Sequence, residues 1–340
     1  MRDISLVKIL PVQPRVPFVK LRIVAAVLSA IAVIFSLFLF VTEGLNYGID
    51  FSGGVVTVVD FGEAPPEGVQ DFVQSRIDDG AIVQNISQPA GSLIDHDYLR
   101  IGLPLQVEEV DASENANADE ENRQAQTDAQ QVAQQALIAA LEAEYGEVRI
   151  DATETVSGKV SGELRRKGLL AVVLALGFVL AYIWFRFEWQ FGAGAVVALL
   201  HDVILTLGVF ELFQIEFNLA IIAAILTIVG YSLNDTVIVY DRIRENLRKF
   251  KKMPLIEVIN ISINDTLSRT ILTSVTTLLA LLALYILGGP GLRGFSFAMI
   301  WGVIVGTYSS IFVASPMLLL LNLKRGSRID APKDGAAQTA

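Results

Sequence analysis

The chain has 340 residues and a formal net charge of −10, and 53% of its residues are hydrophobic while only 18% are charged. This composition excludes an ordinary soluble protein and indicates a membrane protein, and the absence of cysteine excludes disulfide bonds and thiol chemistry. Acidic residues concentrate in residues 42–163, which hold 24 Asp and Glu against 5 Lys and Arg, whereas basic residues cluster beside apolar runs as topology signals, so nucleic-acid binding is not expected.

The first predicted transmembrane helix covers residues 23–41, after a basic tail of residues 1–22. Its uninterrupted apolar run is long enough to cross a hydrocarbon core of about 30 Å. A cleaved signal peptide would have a shorter apolar region and a small-residue cleavage site, whereas the sequence continues Thr-Glu-Gly-Leu-Asn. We therefore expect a retained helix whose N-terminal tail lies in the cytoplasm.

Residues 42–165 form the one large hydrophilic segment, which we predict to be a periplasmic domain. Its alternating and helical patterns follow the order β-α-β-β-α-β, which is that of a ferredoxin-like α+β unit. Residues 108–131 are acidic and rich in Gln, Asn and Ala, too polar to build a core. We expect that insertion to be a mobile loop and the frayed start of the second helix.

Five further spans are predicted within residues 166–323, which gives six in all. They cover residues 168–185, 191–213, 217–240, 270–287 and 295–323. A basic loop, residues 241–269, separates the fourth and fifth spans, and a tail, residues 324–340, closes the chain. Basic segments favour the cytoplasmic side, so both termini are expected there. Arg165, Arg166 and Lys167 oppose this topology, but the larger loop and both tails outweigh them.

The fourth span carries an ionisable side chain where lipid would penalise a charge. Thr227, Tyr231, Asn234 and Asp235 recur at helical spacing, so we expect them to share one face directed into a bundle. An ionisable residue inside a span is by default a functional-site hypothesis. The sequence predicts a half-buried carboxylate site near the inner end of this helix.

Arg269, at the start of the fifth span, is the candidate partner of Asp235. It shares a helical face with Thr273, Thr276 and Thr277. Because arginine stays protonated, its role would be to hold Asp235 ionised until a proton displaces the pair. A static ion pair that fixes two helices, with Asn234 as a hydrogen-bonding neighbour, is the alternative.

Other residues are candidates for ancillary or structural roles. His201 and Asp202 lie inside the third span, but a metal site would need further ligands, which leaves a helix–helix hydrogen bond or an ancillary position on a proton path. Gly302 and Gly306 form a small-residue ridge for close helix packing. Glu211 and Glu216 flank a short turn and are expected to be solvated. No phosphate-binding loop, Ser-His-Asp set or HExxH motif is present, so no enzymatic activity is expected.

Several segments between residues 44 and 320 resemble, in the same order, the SecF members of the SecD/SecF family of bacterial protein export. They are LNYGIDFSGG, VSGKVSGEL, FRFEWQFGAG, LLHDVILTLG, VGYSLNDTVIVYDRIREN, LSRTILTS and GGPGLRGFS. Each segment is weak evidence alone, but the ordered set is specific. The tails and residues 108–131 diverge from the pattern.

The resemblance implies a polytopic α-helical protein that forms half of a twelve-helix bundle like that of resistance-nodulation-division transporters, in the bacterial inner membrane. It implies SecD as the other half, the SecYEG channel and YajC as neighbours, an unfolded preprotein as the client, and no cofactor besides the coupling protons. By the same resemblance, Asp235 and Arg269 match the residues of proton coupling. A non-transporting scaffold and half of a small-molecule proton antiporter remain the alternatives.

Overall fold

The structure is a computed structural model that describes residues 16–62, 65–78, 80–86, 98–104, 116–288, 290–321 and 323. Within these ranges the chain forms ten α-helices and four β-strands. The elements up to the small domain's end are α1 (Arg22–Thr42), α2 (Ile49–Ser52), β1 (Gly54–Asp60), α3 (Val69–Arg76), β2 (Ile82–Ile86), β3 (Tyr98–Pro104), α4 (Ala116–Tyr145) and β4 (Arg149–Val156). The later elements are α5 (Gly158–Arg186), α6 (Trp189–Leu212), α7 (Leu219–Lys249), α8 (Leu255–Leu287), α9 (Pro290–Ser309), a π-helical segment (Ser310–Ala314) and α10 (Ser315–Leu320).

Six helical segments in the described part of the chain are long and apolar enough to cross a membrane. They are α1, α5, α6, α7, α8 and the run from α9 to α10, which confirms the six predicted spans and a multi-pass membrane protein. Of the two predicted tails, residues 1–15 and 324–340 lie outside the described residues.

The basic loop predicted at residues 241–269 was wrong. Helix α7 continues to Lys249 and α8 starts at Leu255, so only residues 250–254 connect them. Ile243, Leu247 and Ile259 are buried, because one apolar stripe continues along both helices beyond the membrane-spanning runs. Arg242 bonds Glu245 one turn later on the exposed face, at 2.8 Å.

The small domain between α1 and α5 is ferredoxin-like, as predicted. Its four antiparallel strands follow the order β2-β3-β1-β4, with β1 in the middle between β3 and β4. Leu99, Ile101 and Leu103 alternate along β3 and are buried against Leu137 and Leu141 of α4. The period-2 pattern of the strand and the helical spacing of α4 thus form one hydrophobic core.

The insertion predicted at residues 108–131 is helical over most of its length. Helix α4 begins at Ala116, so the expected start of the second helix takes up residues 116–131, and residues 108–115 lie outside the described residues. Ala, Gln and Glu are strong helix formers, and the C-terminal half of α4 packs on the sheet. Helix propagation from that packed half explains the difference.

In the membrane bundle, α6, α7 and α9 form the centre while α1 and α5 lie at the edge. The three central helices have buried residues on several sides, whereas α1 and α5 expose apolar side chains along most of their length. Glycines allow the central helices to approach closely. A Cβ atom on Gly302 of α9 would run into Ile228 of α7, and one on Gly306 would lie 3.0 Å from the Cβ atom of Ser232.

We expect Gly302→Val to lower the free energy of unfolding by about 1–3 kcal/mol, because the added methyl groups overpack the α7–α9 contact. Thermal unfolding in detergent, followed by size-exclusion chromatography, measures the effect. Gly177→Val in α5 is the matched control, since Gly177 is exposed and a Cβ atom there meets nothing within 4 Å. Equal melting temperatures for the two variants would contradict the close packing of α7 and α9.

Candidate functional site

Asp235 lies at the centre of the candidate site, on the buried face of α7, and its side chain is 7% exposed. Thr270 of α8 donates a hydrogen bond to its Oδ1 atom at 2.6 Å, and Ser310 donates to Oδ2 at 2.5 Å. Three elements therefore meet at one carboxylate. Hydroxyl donors can stabilise a carboxylate inside a bundle, but a change in its protonation alters which group donates.

The structure divides the polar face predicted for α7. Asp235 points into this chain's own bundle, whereas Thr227 and Asn234 are exposed on its outer surface. Tyr231 is half-buried, and its hydroxyl has no hydrogen-bond partner among the described residues. Positions 227, 231 and 234 share one face, but residue 235 is turned by about 100° from residue 234, which is enough to separate exposed from buried.

Arg269 is exposed on α8, next in sequence to the Thr270 that bonds Asp235. The ion pairs found among the described residues do not join it to Asp235. Thr273, one turn further along, is exposed as well, and its hydroxyl donates to the Arg269 carbonyl at 3.0 Å. The expected direct pair is thus replaced, in this chain alone, by two hydroxyl groups.

His201 and Asp202 form a second buried polar network in α6. Asp202 is 1% exposed and accepts hydrogen bonds from Ser232 of α7 at 2.6 Å and Ser309 of α9 at 2.7 Å. His201 Nδ1 lies 2.9 Å from the same carboxylate, and its Nε2 atom lies 3.2 Å from the Ser29 hydroxyl of α1. Within the described ranges no three His, Asp or Glu side chains converge as metal ligands.

Two consecutive serines connect the two carboxylates. Ser309 bonds Asp202, and Ser310 bonds Asp235. The π-helical segment begins at Ser310, so the α-helical hydrogen-bond pattern of the sixth span changes between these two contacts. Single π-helical turns inside α-helices occur frequently at functional sites, since they can re-register a side chain. In the sequence, Ser310 stands out only as a small residue that continues the ridge of Gly302 and Gly306.

Glu211, near the end of α6, is 1% exposed, and neither carboxylate oxygen has a hydrogen-bond partner among the described residues. The expectation of a solvated side chain was wrong. The following turn folds back on the helix, since Gln214 donates its side-chain amide to the Glu211 carbonyl at 2.7 Å and the Ile215 amide donates to the Phe210 carbonyl at 3.0 Å. A buried carboxylate without partners is costly when ionised, and in a membrane protein it marks a functional candidate.

The segment between α1 and β1 is bonded to the start of α7. Asp50 accepts a hydrogen bond from the Leu219 amide at 2.9 Å, where a negative charge favours a helix N-terminus. Phe217 is held on both sides, since its amide donates to Asn46 at 2.7 Å and its carbonyl accepts from Gly48 at 2.9 Å. The helix that carries Asp235 is thus anchored to the chain that leads into the small domain.

Gly53 and Gly54 end this segment. Both have positive φ angles, 71° and 134°, which L-amino acids with side chains rarely adopt. In addition, a Cβ atom on Gly54 would run into the Leu103 carbonyl of β3. The glycine pair therefore sets the direction in which the small domain leaves the membrane bundle.

An ion pair joins the small domain directly to the bundle. Arg100 of β3 donates to Glu216, which precedes α7, through both terminal guanidinium nitrogens, and the Nη2 contact is 3.1 Å long. The two side chains are 22% and 12% exposed. Burial lowers the pKa of Arg100, while the nearby Glu154 and Asp50 carboxylates oppose that shift. Glu216, like Glu211, is therefore not the solvated carboxylate that its position in a turn suggested.

Comparisons with known proteins assign the family. Residues 136–324 match the family model described as protein export membrane protein SecD/SecF, C-terminal, which is more than half of the chain. The chain belongs to the SecD/SecF family. Residues 38–64 match a second model, the SecD/SecF GG motif, and this range contains Asp50, Gly53 and Gly54.

The SecD/SecF assignment is supported by relatives that match 89% to 95% of the chain. A protein translocase subunit SecF from Desulfurispirillum indicum is 42% identical over 308 residues, which cover 89% of this chain and 91% of the relative. The SecF of Cereibacter sphaeroides is 41% identical over 306 residues, or 89% of this chain and 88% of the relative. A SecDF from Brucella abortus is 40% identical over 95% of this chain, which spans 40% of its length.

The crystal structure of SecDF from Thermus thermophilus, a translocon-associated membrane protein, is similar to this fold. The TM-score is 0.73 at 33% identity, and the match covers 93% of this chain and 40% of that one. The six-helix bundle with a ferredoxin-like domain between its first two long helices is therefore a SecD/SecF fold.

Proposed function

We propose that this chain is an accessory subunit of the Sec protein translocase that acts with a SecD-type partner to promote preprotein translocation across the bacterial cytoplasmic membrane. The proton motive force drives this step, and protons are the coupling ions, without a cofactor, metal or enzymatic reaction. The observation that carries the proposal is the buried Asp235 carboxylate, held by hydroxyls of two neighbouring elements in a chain whose relatives are named translocase subunits.

The coupling step is a change in the hydrogen bonds of Asp235. An ionised carboxylate accepts from both Thr270 and Ser310. When it is protonated, one oxygen becomes a donor, so one hydroxyl must turn or move away. Because these hydroxyls belong to α8 and the sixth span, protonation changes the packing between helices. One charge that crosses the membrane potential supplies about 2.3 kcal/mol per 100 mV, enough to bias such a two-state arrangement.

A SecD-type partner is expected to cover the outer face next to Asp235. Asn234, Arg269 and Thr273 are exposed there within membrane-spanning helices, where polar groups facing lipid are unfavourable. The fused SecDF relatives contain a matching segment as 40% of one longer polypeptide. In the complex, Arg269 would face the partner half and supply the positive charge that favours ionised Asp235. The two halves together would form the twelve-helix bundle.

His201, Asp202 and Glu211 are ancillary in this proposal. The Asp202 network is connected to Asp235 through the adjacent Ser309 and Ser310, so a movement of the backbone at Ser310 would alter the hydrogen bonds of both carboxylates. Glu211 lies towards the end of α6 that faces the small domain, where protons would arrive from the periplasm. It is the candidate for proton uptake on that side.

The proposed topology places both termini in the cytoplasm and the small domain in the periplasm. Helices α7 and α8 meet at residues 250–254, beside the basic residues that mark the cytoplasmic side. The periplasmic domain, connected to α7 through Asp50 and the Arg100–Glu216 pair, would contact the emerging preprotein. SecYEG, which supplies the channel, and YajC are the further partners.

Reconstitution tests the proposal. Proteoliposomes with SecYEG and the SecD-type partner are prepared with and without this chain, and translocation of a preprotein is measured with and without an imposed proton gradient. We expect gradient-stimulated translocation only when the chain is present, and its loss when an ionophore collapses the gradient. A chain that raises translocation equally in both conditions would be a scaffold, and the coupling proposal would be wrong.

A further inference from the structure

A cleft lined only by charged side chains lies where α5 ends and the extended half of α7 passes it. Its volume is about 590 Å³. The lining residues are Arg186, Asp241, Arg244, Glu245, Arg248 and Lys249. None of them takes part in the Asp235 or Asp202 networks, and the proton-coupling proposal does not use the cleft.

Four cations and two carboxylates line the cleft, so positive charge is in surplus. Both carboxylates are already paired. Asp241 accepts from Arg186 at 3.1 Å through both oxygens. Glu245 is bonded at 2.8 Å to Arg242, which lies outside the cleft. Arg248 and Lys249 are exposed, and no carboxylate of the described residues forms an ion pair with either of them.

One cation of the cleft has an unused donor. The Nε atom of Arg244 is buried and has no hydrogen-bond partner among the described residues, while its Nη1 atom lies 3.9 Å from Asp241. Phe187 holds the guanidinium groups of Arg244 and Arg186 against its ring, at 5.6 and 4.9 Å from the ring centroid. Two planar donors are therefore held in place next to Arg248 and Lys249, which form no ion pair with a carboxylate of the described residues, and this arrangement suits an anion with several oxygens.

The surroundings of the cleft belong to the membrane boundary. Trp184 and Phe185 at the end of α5 are 71% and 90% exposed, and Trp189 at the start of α6 is 55% exposed. Exposed tryptophans are typical of the headgroup level of a bilayer. Above them, α5 presents exposed apolar side chains such as Leu174 and Phe178 along the hydrocarbon depth.

We infer that this cleft binds the phosphodiester headgroup of an anionic phospholipid, with the acyl chains along the outer face of α5. Arg244, Arg248 and Lys249 hold the phosphate oxygens, and Asp241 keeps Arg186 in position. Basic pockets between transmembrane helices at the membrane surface are suited to such headgroups. A zwitterionic lipid adds an ammonium group to a site with surplus cations, so phosphatidylglycerol binds in preference to phosphatidylcholine.

Brominated lipids test the inference, because bromine quenches nearby tryptophan and Trp184 and Trp189 flank the cleft. The full chain in mixed micelles is titrated with dibrominated phosphatidylglycerol or dibrominated phosphatidylcholine. We expect Arg248→Gln/Lys249→Gln to raise the phosphatidylglycerol concentration for half-maximal quenching by about tenfold, without an effect on phosphatidylcholine. Arg244→Lys keeps the charge but removes Nε, so we expect it to weaken binding by a smaller factor.

Lys251→Gln/Lys252→Gln is the matched control, since it removes the same charge at exposed positions outside the cleft. An equal shift in the control would mean non-specific surface attraction and overturn the inference. Displacement of the lipid by micromolar inorganic phosphate would identify a soluble anion as the ligand and overturn the lipid source. Unchanged quenching in the cleft variant, with loss of copurification with a SecD-type partner, would instead identify a protein contact. The result is independent of the coupling activity.

Discussion

Replacing Asp235 by asparagine is expected to reduce gradient-stimulated translocation to the level seen without a gradient, while the complex still assembles. Asparagine has nearly the same shape and is also polar, so Thr270 can still donate to its carbonyl oxygen and Ser310 can accept from its amide. Asparagine cannot gain or lose a proton as the aspartate carboxyl group does. The measurement is translocation into proteoliposomes at matched amounts of complex, with the gradient imposed or collapsed.

Three further variants make this result specific for the carboxylate. Asp235→Glu keeps the titratable group at a longer reach, so we expect partial activity. Glu257→Gln removes an exposed carboxylate from the first turn of α8 and should leave the stimulation unchanged. Arg269→Met tests the proposed countercharge and is expected to lower the stimulation as well. If the Asp235→Asn complex showed wild-type stimulation, the proton path would have to lie in the partner, and the role of this site would be helix packing.

The fold was largely predictable because its signals are local and periodic. Each span is an uninterrupted apolar run, and the small domain alternates strand and helix patterns in the order of a ferredoxin-like unit. The errors occur where polar sequence is helical. Helix α4 starts at Ala116 and α7 continues to Lys249, because good helix formers extend an element from a packed half that sequence composition does not reveal.

The site was predictable only in part. A charge in an apolar run identifies Asp235 from sequence alone, but its hydroxyl partners come from residues 35 and 75 positions away. Serine and threonine are common in such helices, so no pattern selects Thr270 and Ser310. Glu211 shows the opposite limitation, since its place beside a turn predicts exposure whereas the folded chain buries it.

The helix that carries Asp235 offers a route from the coupling site to the small domain. Leu219, its first residue, and Asp235 are 16 positions apart, which corresponds to about 24 Å of rigid helix. At its start, Asp50 bonds the helix N-terminus and Glu216 bonds Arg100 of the sheet. A displacement of α7 therefore acts on two polar contacts of the domain.

Breaking the Arg100–Glu216 pair is expected to uncouple the small domain from the bundle. Each of Arg100→Gln and Glu216→Gln leaves a largely buried charge without its partner, so we expect each to reduce gradient-stimulated translocation and to increase protease cleavage between the domain and the bundle. The double variant Arg100→Gln/Glu216→Gln removes both charges, so no buried charge is left unpaired, and it should recover part of the protease resistance. A cycle of thermal unfolding measurements on the four proteins is expected to give a coupling energy of about 0.5–3 kcal/mol.

The matched control for that cycle is the exposed pair of Arg186 and Asp241, which is similar in chemistry but does not join the domain to the bundle. Its side chains are 42% and 45% exposed, so Asp241→Asn should change stability by less than about 1 kcal/mol and leave domain cleavage unchanged. If the Arg100 and Glu216 variants translocate like the wild type, the domain must receive motion through Asp50 and the Phe217 backbone bonds alone. Gly53 and Gly54 would then be the hinge between the bundle and the small domain, because they set the angle between the residues before them and β1.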